Sequence, residues 1–111
     1  MITKATQQRI LKFRDDRDWR QFHNPKDLSI SLSLEAAELL ENFQWSGAAT
    51  DVPEKREAIA EEIADVLVYA ALLCDCMGLN PDEIVNAKMT KNEKKYAVEK
   101  AKGVKTKYTE L

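Results

Sequence analysis

Apolar side chains recur every three or four residues along most of this chain, a spacing that places them on one face of an α-helix. The pattern predicts four helices, over about residues 3–16, 27–45, 51–77 and 80–93. Three glycines and three prolines are too few turn signals for a fold built from many short strands. The sequence therefore predicts an all-α fold, a four-helix bundle.

Polar and turn-forming residues mark the ends of these helices. Thr3 is placed to cap the first helix, and the Asn-Pro step after it disfavours helical backbone at Asn24, ahead of the second. Gly78 is a stop signal after the third helix, and the run Asn80–Glu83 is close to a capping box. Residues 97–111 are polar and basic, and we expect them to form a loosely held tail.

The third predicted helix is the longest and most apolar, which favours a place at the centre of the bundle. Its apolar positions at helical spacing are Ile59, Ile63, Val66, Leu67, Ala70, Leu73 and Met77. The second helix carries a comparable stripe, formed by Leu28, Leu32, Ala36, Leu39, Leu40 and Phe43. We expect these two helices to pack against each other.

Composition and charge restrict the class of protein. The chain has the length of one domain, residues 1–111, and its net charge of −2 argues against binding of nucleic-acid polymers, which needs a basic face. It contains no apolar run of 18 residues, and residues 1–10 do not resemble a signal peptide. On a helix, Cys74 and Cys76 would point about 200° apart, too far for pairing or for one shared metal. We expect a cytoplasmic protein with reduced thiols and no membrane partner.

Two pairs of acidic residues have a spacing that suggests a metal site. Glu35 and Glu38 lie three residues apart on the second helix, and Glu62 and Asp65 repeat that spacing on the third. Four carboxylates at one point would repel each other strongly unless a cation were bound. Such pairs are also common on solvated helix faces, and that alternative stays open on spacing alone. The apolar surroundings of both pairs favour the metal site.

The chemistry of the side chains restricts which metal could bind. A di-iron carboxylate site needs histidines spaced with the acids, and the single histidine, His23, has no such partner. Zinc would need cysteine or histidine at ligand spacing, which is also missing. A set made of carboxylates alone favours Mg²⁺, with Mn²⁺ as a possible substitute.

Aromatic and basic residues near the helix ends suggest which kind of molecule binds beside the metal. The aromatic group consists of Trp19, Phe22, His23 and Trp45. Indole rings in such positions can stack on a nucleobase, although a packing cluster under a loop would have the same pattern. Towards and beyond the end of the fourth helix, the sequence has Lys88, Lys91 and Lys95, which can share one face. They could bind phosphates, or they could only complement the negative end of the helix dipole.

Three motifs together resemble a known family. They are the run of residues 13–28, FRDDRDWRQFHNPKDL; the segment Glu35-Ala-Ala-Glu38; and the segment from Glu61 to Tyr69, EEIADVLVY. In this combination they resemble the MazG-like all-α nucleoside triphosphate pyrophosphatases, and among these the dCTP pyrophosphatase branch. The resemblance covers nearly the whole chain. One departure is that this chain has Leu34 and Ala37 where many members have glycine before each glutamate.

The resemblance implies properties that the spacing does not. Members are helical, form dimers or dimers of dimers with active sites at the subunit contacts, and cleave between the α- and β-phosphates. The Mg²⁺ ligands of the family motif fall on Glu35, Glu38, Glu62 and Asp65. The aromatic rings that would enclose the base are Trp19 and Trp45. The other substrate-binding positions implied are His23, Tyr69, Lys88 and Asn92.

The expected activity is therefore Mg²⁺-dependent hydrolysis of a nucleoside triphosphate to the monophosphate and pyrophosphate. The expected substrate is dCTP or a modified, non-canonical nucleotide, with removal of unwanted nucleotides as the purpose. Glu38 is the candidate catalytic residue, orienting or deprotonating the attacking water. Two alternatives stay open: a non-catalytic helical module for interaction or nucleotide sensing, and a related enzyme for another nucleotide such as dUTP. We expect a homodimer or homotetramer.

Overall fold

The computed structural model describes residues 2–111, and within this range the chain is helical without any β-strand. The α-helices are α1 (Lys4–Asp16), α2 (Pro25–Glu41), α3 (Arg56–Met77), α4 (Pro81–Lys95) and the short α5 (Val98–Ala101). Single 3-10 turns cover Arg20–Phe22, Pro53–Lys55 and Tyr108–Glu110. The predicted all-α fold is confirmed. None of the described helices is both long enough and apolar enough to cross a bilayer.

Most helix ends follow the local signals in the sequence. The Thr3 hydroxyl accepts a hydrogen bond from the Thr6 amide at 3.2 Å and caps α1. The Asn80 side chain accepts from the Glu83 amide at 3.1 Å and caps α4 in the same way. Gly78 ends α3 in the left-handed region, at φ +66°, where a residue without Cβ is favoured.

The second helix differs from the expectation at both ends. It begins at Pro25 because Asn24 is the capping residue and proline is well suited to the first helical position. It ends at Glu41, four residues before Trp45, where the Asn42 side-chain amide donates to the Leu39 carbonyl at 3.2 Å. Side-chain bonds of this kind compete with continuation of the helix.

The described chain divides into two compact units, one that ends at Gly78 and one that covers Leu79–Leu111. In the first unit, α2 and α3 form an antiparallel pair, and α1 contacts α3. In the second unit, α4 is followed by α5 and the C-terminal segment. There the Tyr108 ring lies edge-on to Tyr96, with centroids 6.0 Å apart, and Lys95 Nζ is 4.5 Å from the Tyr108 centroid. The tail therefore contains short helical turns.

Few apolar side chains are buried within one chain. Among residues 2–111, the buried ones are Leu28, Val52, Ala71 and Leu72. Two of these four belong to α3, which agrees with a central place for that helix. However, Ile63 and Met77 of its predicted apolar stripe are exposed, and so is Leu40 of α2. Each predicted apolar stripe is therefore only partly buried within a single chain.

Candidate functional site

Three of the four acidic residues singled out from the sequence converge between α2 and α3. One carboxylate oxygen from each of Glu35, Glu62 and Asp65 lies within 4.8 Å of the others. The Glu38 carboxyl is not one of these three, but it lies near enough to raise the pKa of both Glu35 and Glu62. The spacing of three residues on each helix turns both members of a pair to one side, and the antiparallel packing of the helices brings the pairs together.

Burial and neighbouring acids raise the pKa of two carboxyl groups in this cluster. Burial, followed by the neighbouring Glu38 carboxyl, raises the pKa of Glu35 to about 7. The same two causes, in the same order, raise the pKa of Glu62. One oxygen of Glu35 and one of Glu62 are buried, and neither accepts a hydrogen bond. Ionised carboxylates only accept, so oxygens in this position fit a hard divalent cation.

These shifts predict an unusual dependence of stability on pH. Between the ordinary glutamate pKa of 4.5 and about 7, the folded protein binds more protons at Glu35 than the unfolded chain does. Without divalent cations, the free energy of unfolding should therefore fall as pH rises through this window, and level off above it. Thermal unfolding in EDTA at several values between pH 5 and 8 measures this. Glu35→Gln should flatten that part of the profile, and an equally steep profile in the variant would contradict the assignment.

A helix-ending motif holds Trp19 in place. After α1, the Asp18 amide donates to the Asp15 carbonyl at 3.0 Å, and the Trp19 amide donates to the Arg14 carbonyl at 3.1 Å. Together with the positive φ of +54° at Asp18, these bonds form a Schellman motif with aspartate in the place usually taken by glycine. The Trp19 ring packs edge-on against Phe13, with centroids 5.7 Å apart, which is the apolar contact typical of this motif.

The turn between Trp19 and α2 places His23. The Cys76 thiol on α3 lies 3.8 Å from the His23 carbonyl, which ties this turn to the helix pair. Burial, followed by the positive charge of Arg14, holds the pKa of His23 below its ordinary value, so the imidazole is neutral at pH 7. Its Nδ1 atom is buried and has no hydrogen-bond partner.

These elements enclose a cavity of about 220 Å³. Its lining consists of Trp19, Phe22, His23, Asp27, Leu28, Ser31 and Tyr69. Pockets that hold a complete small-molecule ligand usually measure about 300–1,000 Å³, so this one has room for part of a ligand, such as one ring. Tyr69 lies four residues after Asp65 and Ser31 four before Glu35, so the cavity is one helical turn, about 5.4 Å, from the carboxylates.

Three of the predicted substrate-binding residues do not line this cavity. Trp45 is 85% exposed and follows the far end of α2. The cavity lies at Asp27 and Ser31, so at least ten helical residues, or about 15 Å, separate it from the end of α2 at Glu41. Lys88 and Asn92 lie on α4, in the second unit.

Comparisons with known proteins agree with the geometry. The MazG-like family matches residues 30–111, about three quarters of the chain. The chain belongs to the MazG-like family. It is similar to proteins named dCTP pyrophosphatase 1 from Mus musculus and Homo sapiens, each 37% identical over 105 residues, which is 90% of this chain. The chain spans 62% of the length of these relatives.

This chain is also similar to a protein of known structure. A pyrophosphatase from Archaeoglobus fulgidus is 45% identical, with a TM-score of 0.66. The match covers 79% of this chain and 85% of the archaeal one.

Three residues that form or support this site were not singled out from the sequence. Asp27 and Ser31 line the cavity, and Arg14 is buried with its guanidinium bound to Asp75. The signal for the first two was present, because Asp27, Ser31 and Glu35 follow each other at four-residue steps on one face of α2. Arg14 gave no signal, since an arginine in a charged helix is ordinarily exposed.

Proposed function

We propose that this chain is a Mg²⁺-dependent nucleoside triphosphate pyrophosphohydrolase that converts a deoxynucleoside triphosphate and water into the monophosphate and pyrophosphate. One observation carries the proposal: carboxylates with unpartnered buried oxygens lie one helical turn from a ring-sized cavity walled by Trp19 and His23. The names of the relatives, dCTP pyrophosphatase 1 and pyrophosphatase, support it. They also favour dCTP, or a modified relative of it, as the substrate.

The arrangement of the site divides the substrate into two parts. The base enters the cavity beside Trp19, whose indole offers a stacking surface, and the phosphates lie towards the acidic cluster. Glu35, Glu38, Glu62 and Asp65 would hold Mg²⁺, which on binding supplies positive charge that orients the phosphate chain and stabilises the charge formed during in-line attack. Glu38 is the acid that we assign to orient a water molecule and accept its proton, because it lies beside the cluster and influences the pKa of both Glu35 and Glu62.

The lysines of α4 suit the outer phosphates. The pKa of Lys88 lies below its ordinary value because Lys95 repels added positive charge, with smaller contributions from burial and Lys91. A bound polyanion would relieve this repulsion. We assign Lys88 and Asn92 to the β- and γ-phosphates that leave as pyrophosphate.

We further propose that the functional site is completed by a second copy of the chain. Ile30 and Leu34 lie four residues apart on α2 and are 48% and 59% exposed, and Ile63 of α3 is 45% exposed. Contiguous exposed apolar surface is unusual for a monomer. Trp45 is too far from the cavity to enclose a base together with Trp19 of its own chain, so Trp45 of a partner takes that place in a homodimer or homotetramer.

Release of pyrophosphate tests the activity. Purified protein is incubated with each of the common deoxynucleoside triphosphates, with Mg²⁺, with Mn²⁺ and with EDTA, and products are separated by chromatography. Monophosphate and pyrophosphate should form in equal amounts, only with a divalent cation and fastest with dCTP. A protein that releases orthophosphate, or that binds nucleotide without turnover, would contradict the proposal. The second outcome would favour a sensing module.

Mixed assemblies test the shared site. Trp19→Ala and Trp45→Ala should each lose most activity as homomers, because each removes one side of every base site. Random co-assembly of the two variants makes half of the dimers mixed, each with one intact site of two, so about a quarter of wild-type activity should return. Co-expression with two different affinity tags isolates the mixed species. Activity that stays at the level of the homomers would show that both rings act within one chain.

A further inference from the structure

The cavity has a polar side that the catalytic chemistry does not require. Asp27 and Ser31 both line it from α2, one helical turn apart, while Trp19 and Leu28 supply apolar surface. Stacking on an indole is nearly independent of which base is bound. Any discrimination between bases must therefore come from polar groups such as these.

Ser31 differs from the serines on either side of it in α2. The Ser29 hydroxyl donates to the Pro25 carbonyl at 2.6 Å, and the Ser33 hydroxyl donates to the Ser29 carbonyl at 2.9 Å. Bonds to the carbonyl four residues back are a usual arrangement for serine within a helix. The Ser31 hydroxyl makes no hydrogen bond with any residue in the described range, 2–111. It is therefore a free donor on the wall of the cavity.

Asp27 is held rigidly by the cap of α2. Its amide donates to the Asn24 side-chain oxygen at 2.9 Å, and its Oδ2 accepts from the Asn24 amide nitrogen at 2.7 Å. The two bonds join the same pair of residues in both directions, and the second one orients the carboxylate. The second oxygen, Oδ1, is not used by the cap and can only accept hydrogen bonds when the acid is ionised.

We propose that Asp27 and Ser31 select the base by reading its hydrogen-bonding edge, and that they favour an amino-bearing pyrimidine. Asp27 Oδ1 accepts from the exocyclic amine, and the Ser31 hydroxyl donates to the ring nitrogen or carbonyl beside it. At ring position 4, cytosine carries an amino group, which donates a hydrogen bond. Uracil and thymine carry a carbonyl oxygen there, which a carboxylate repels. The inference rests on the proposed function, since it names the substrate class of that site.

Base preference in two variants tests the inference. Asp27→Asn keeps an oxygen for the Asn24 amide and turns an NH₂ group towards the base, where it donates to a carbonyl. The ratio of kcat/KM for dCTP to that for dUTP should fall by about 10- to 100-fold, the range expected for a hydrogen bond to a charged group. Ser31→Ala should raise KM for dCTP by about fivefold, with kcat changed less, and should lower the dCTP to dUTP ratio of kcat/KM by a similar factor.

The controls separate failure of this inference from failure of the proposed function. Ser33→Ala is the matched variant, because its hydroxyl already bonds to the backbone, and its dCTP to dUTP ratio should equal that of wild type. Thermal unfolding establishes that each variant is folded; if Asp27→Asn is not, Ser31→Ala decides alone. A wild-type protein that hydrolyses none of the triphosphates fails the proposed function. An active wild type with equal rates on dCTP and dUTP, or with a ratio that both variants leave unchanged, overturns the inference alone.

Discussion

Replacing Glu38 with glutamine is expected to lower turnover by at least about a thousandfold while the protein keeps its fold, because metal-assisted steps contribute several kcal/mol to the barrier and about 4 kcal/mol corresponds to this factor. The amide has the same shape but neither the charge needed by the cation nor the basicity needed by the water. Asp65→Asn should have the same effect through loss of a metal ligand. Steady-state release of pyrophosphate at saturating Mg²⁺ and dCTP measures both.

A second measurement separates loss of chemistry from loss of structure. Each substitution removes one negative charge from a crowded cluster, so the metal-free variants should unfold at the same temperature as wild type or higher. Glu61→Gln is the matched control, because Glu61 is next to Glu62 in sequence but contributes no oxygen to the group formed by Glu35, Glu62 and Asp65. It should retain nearly full activity. Full activity in Glu38→Gln would remove the role assigned to that residue, and an equal loss in Glu61→Gln would mean that net charge alone matters.

The sequence predicts those parts of the fold that depend on neighbours in the chain. The caps at Thr3 and Asn80 and the stop at Gly78 are each determined within four residues, and all three agree with the expectation. The pairing of Glu35 with Glu38, and of Glu62 with Asp65, follows from helical periodicity alone. The convergence of Glu35 with Glu62 and Asp65 needed only that the two most apolar helices pack together, which the apolar stripes indicate.

Features that depend on residues distant in sequence were not predictable in this way. The register of α2 against α3 decides that Asp27 and Ser31 share a cavity with Tyr69, and periodicity does not determine that register. The same limit applies to burial: Ala71 and Leu72 are buried, whereas the apolar Ile63 is not. Patterning identifies the residues that avoid water, but it does not distinguish a face buried within the chain from one left for a partner.

The tie between α1 and α3 shows how a charge outside the cavity maintains its walls. The Arg14 side chain is 6% exposed, and it donates from Nη1 to Asp75 at 2.7 Å and from Nε to Asp15 at 2.8 Å. The carbonyl of the same residue accepts the amide of Trp19. Asp75 precedes Cys76, whose thiol contacts the His23 carbonyl. One ion pair thus connects α1, whose C-terminal motif holds Trp19, with α3, which contacts the His23 turn.

Arg14→Met is expected to destabilise the protein by about 2–3 kcal/mol, somewhat less than for a fully buried pair, because Asp75 is 31% exposed and can be hydrated once its partner is gone. For a domain of this size that corresponds to a fall of about 10 °C in unfolding temperature. Lys12→Met is the matched control on the same helix: its ion pair with Asp16 is exposed, so the loss should stay below about 1 kcal/mol. Thermal unfolding at one fixed protein concentration compares the two, since assembly would otherwise contribute to the difference. Arg14→Met should also raise KM for the triphosphate, because Trp19 and His23 lose their common support. Equal stability of Arg14→Met and Lys12→Met would mean that the buried ion pair does not hold these elements in place.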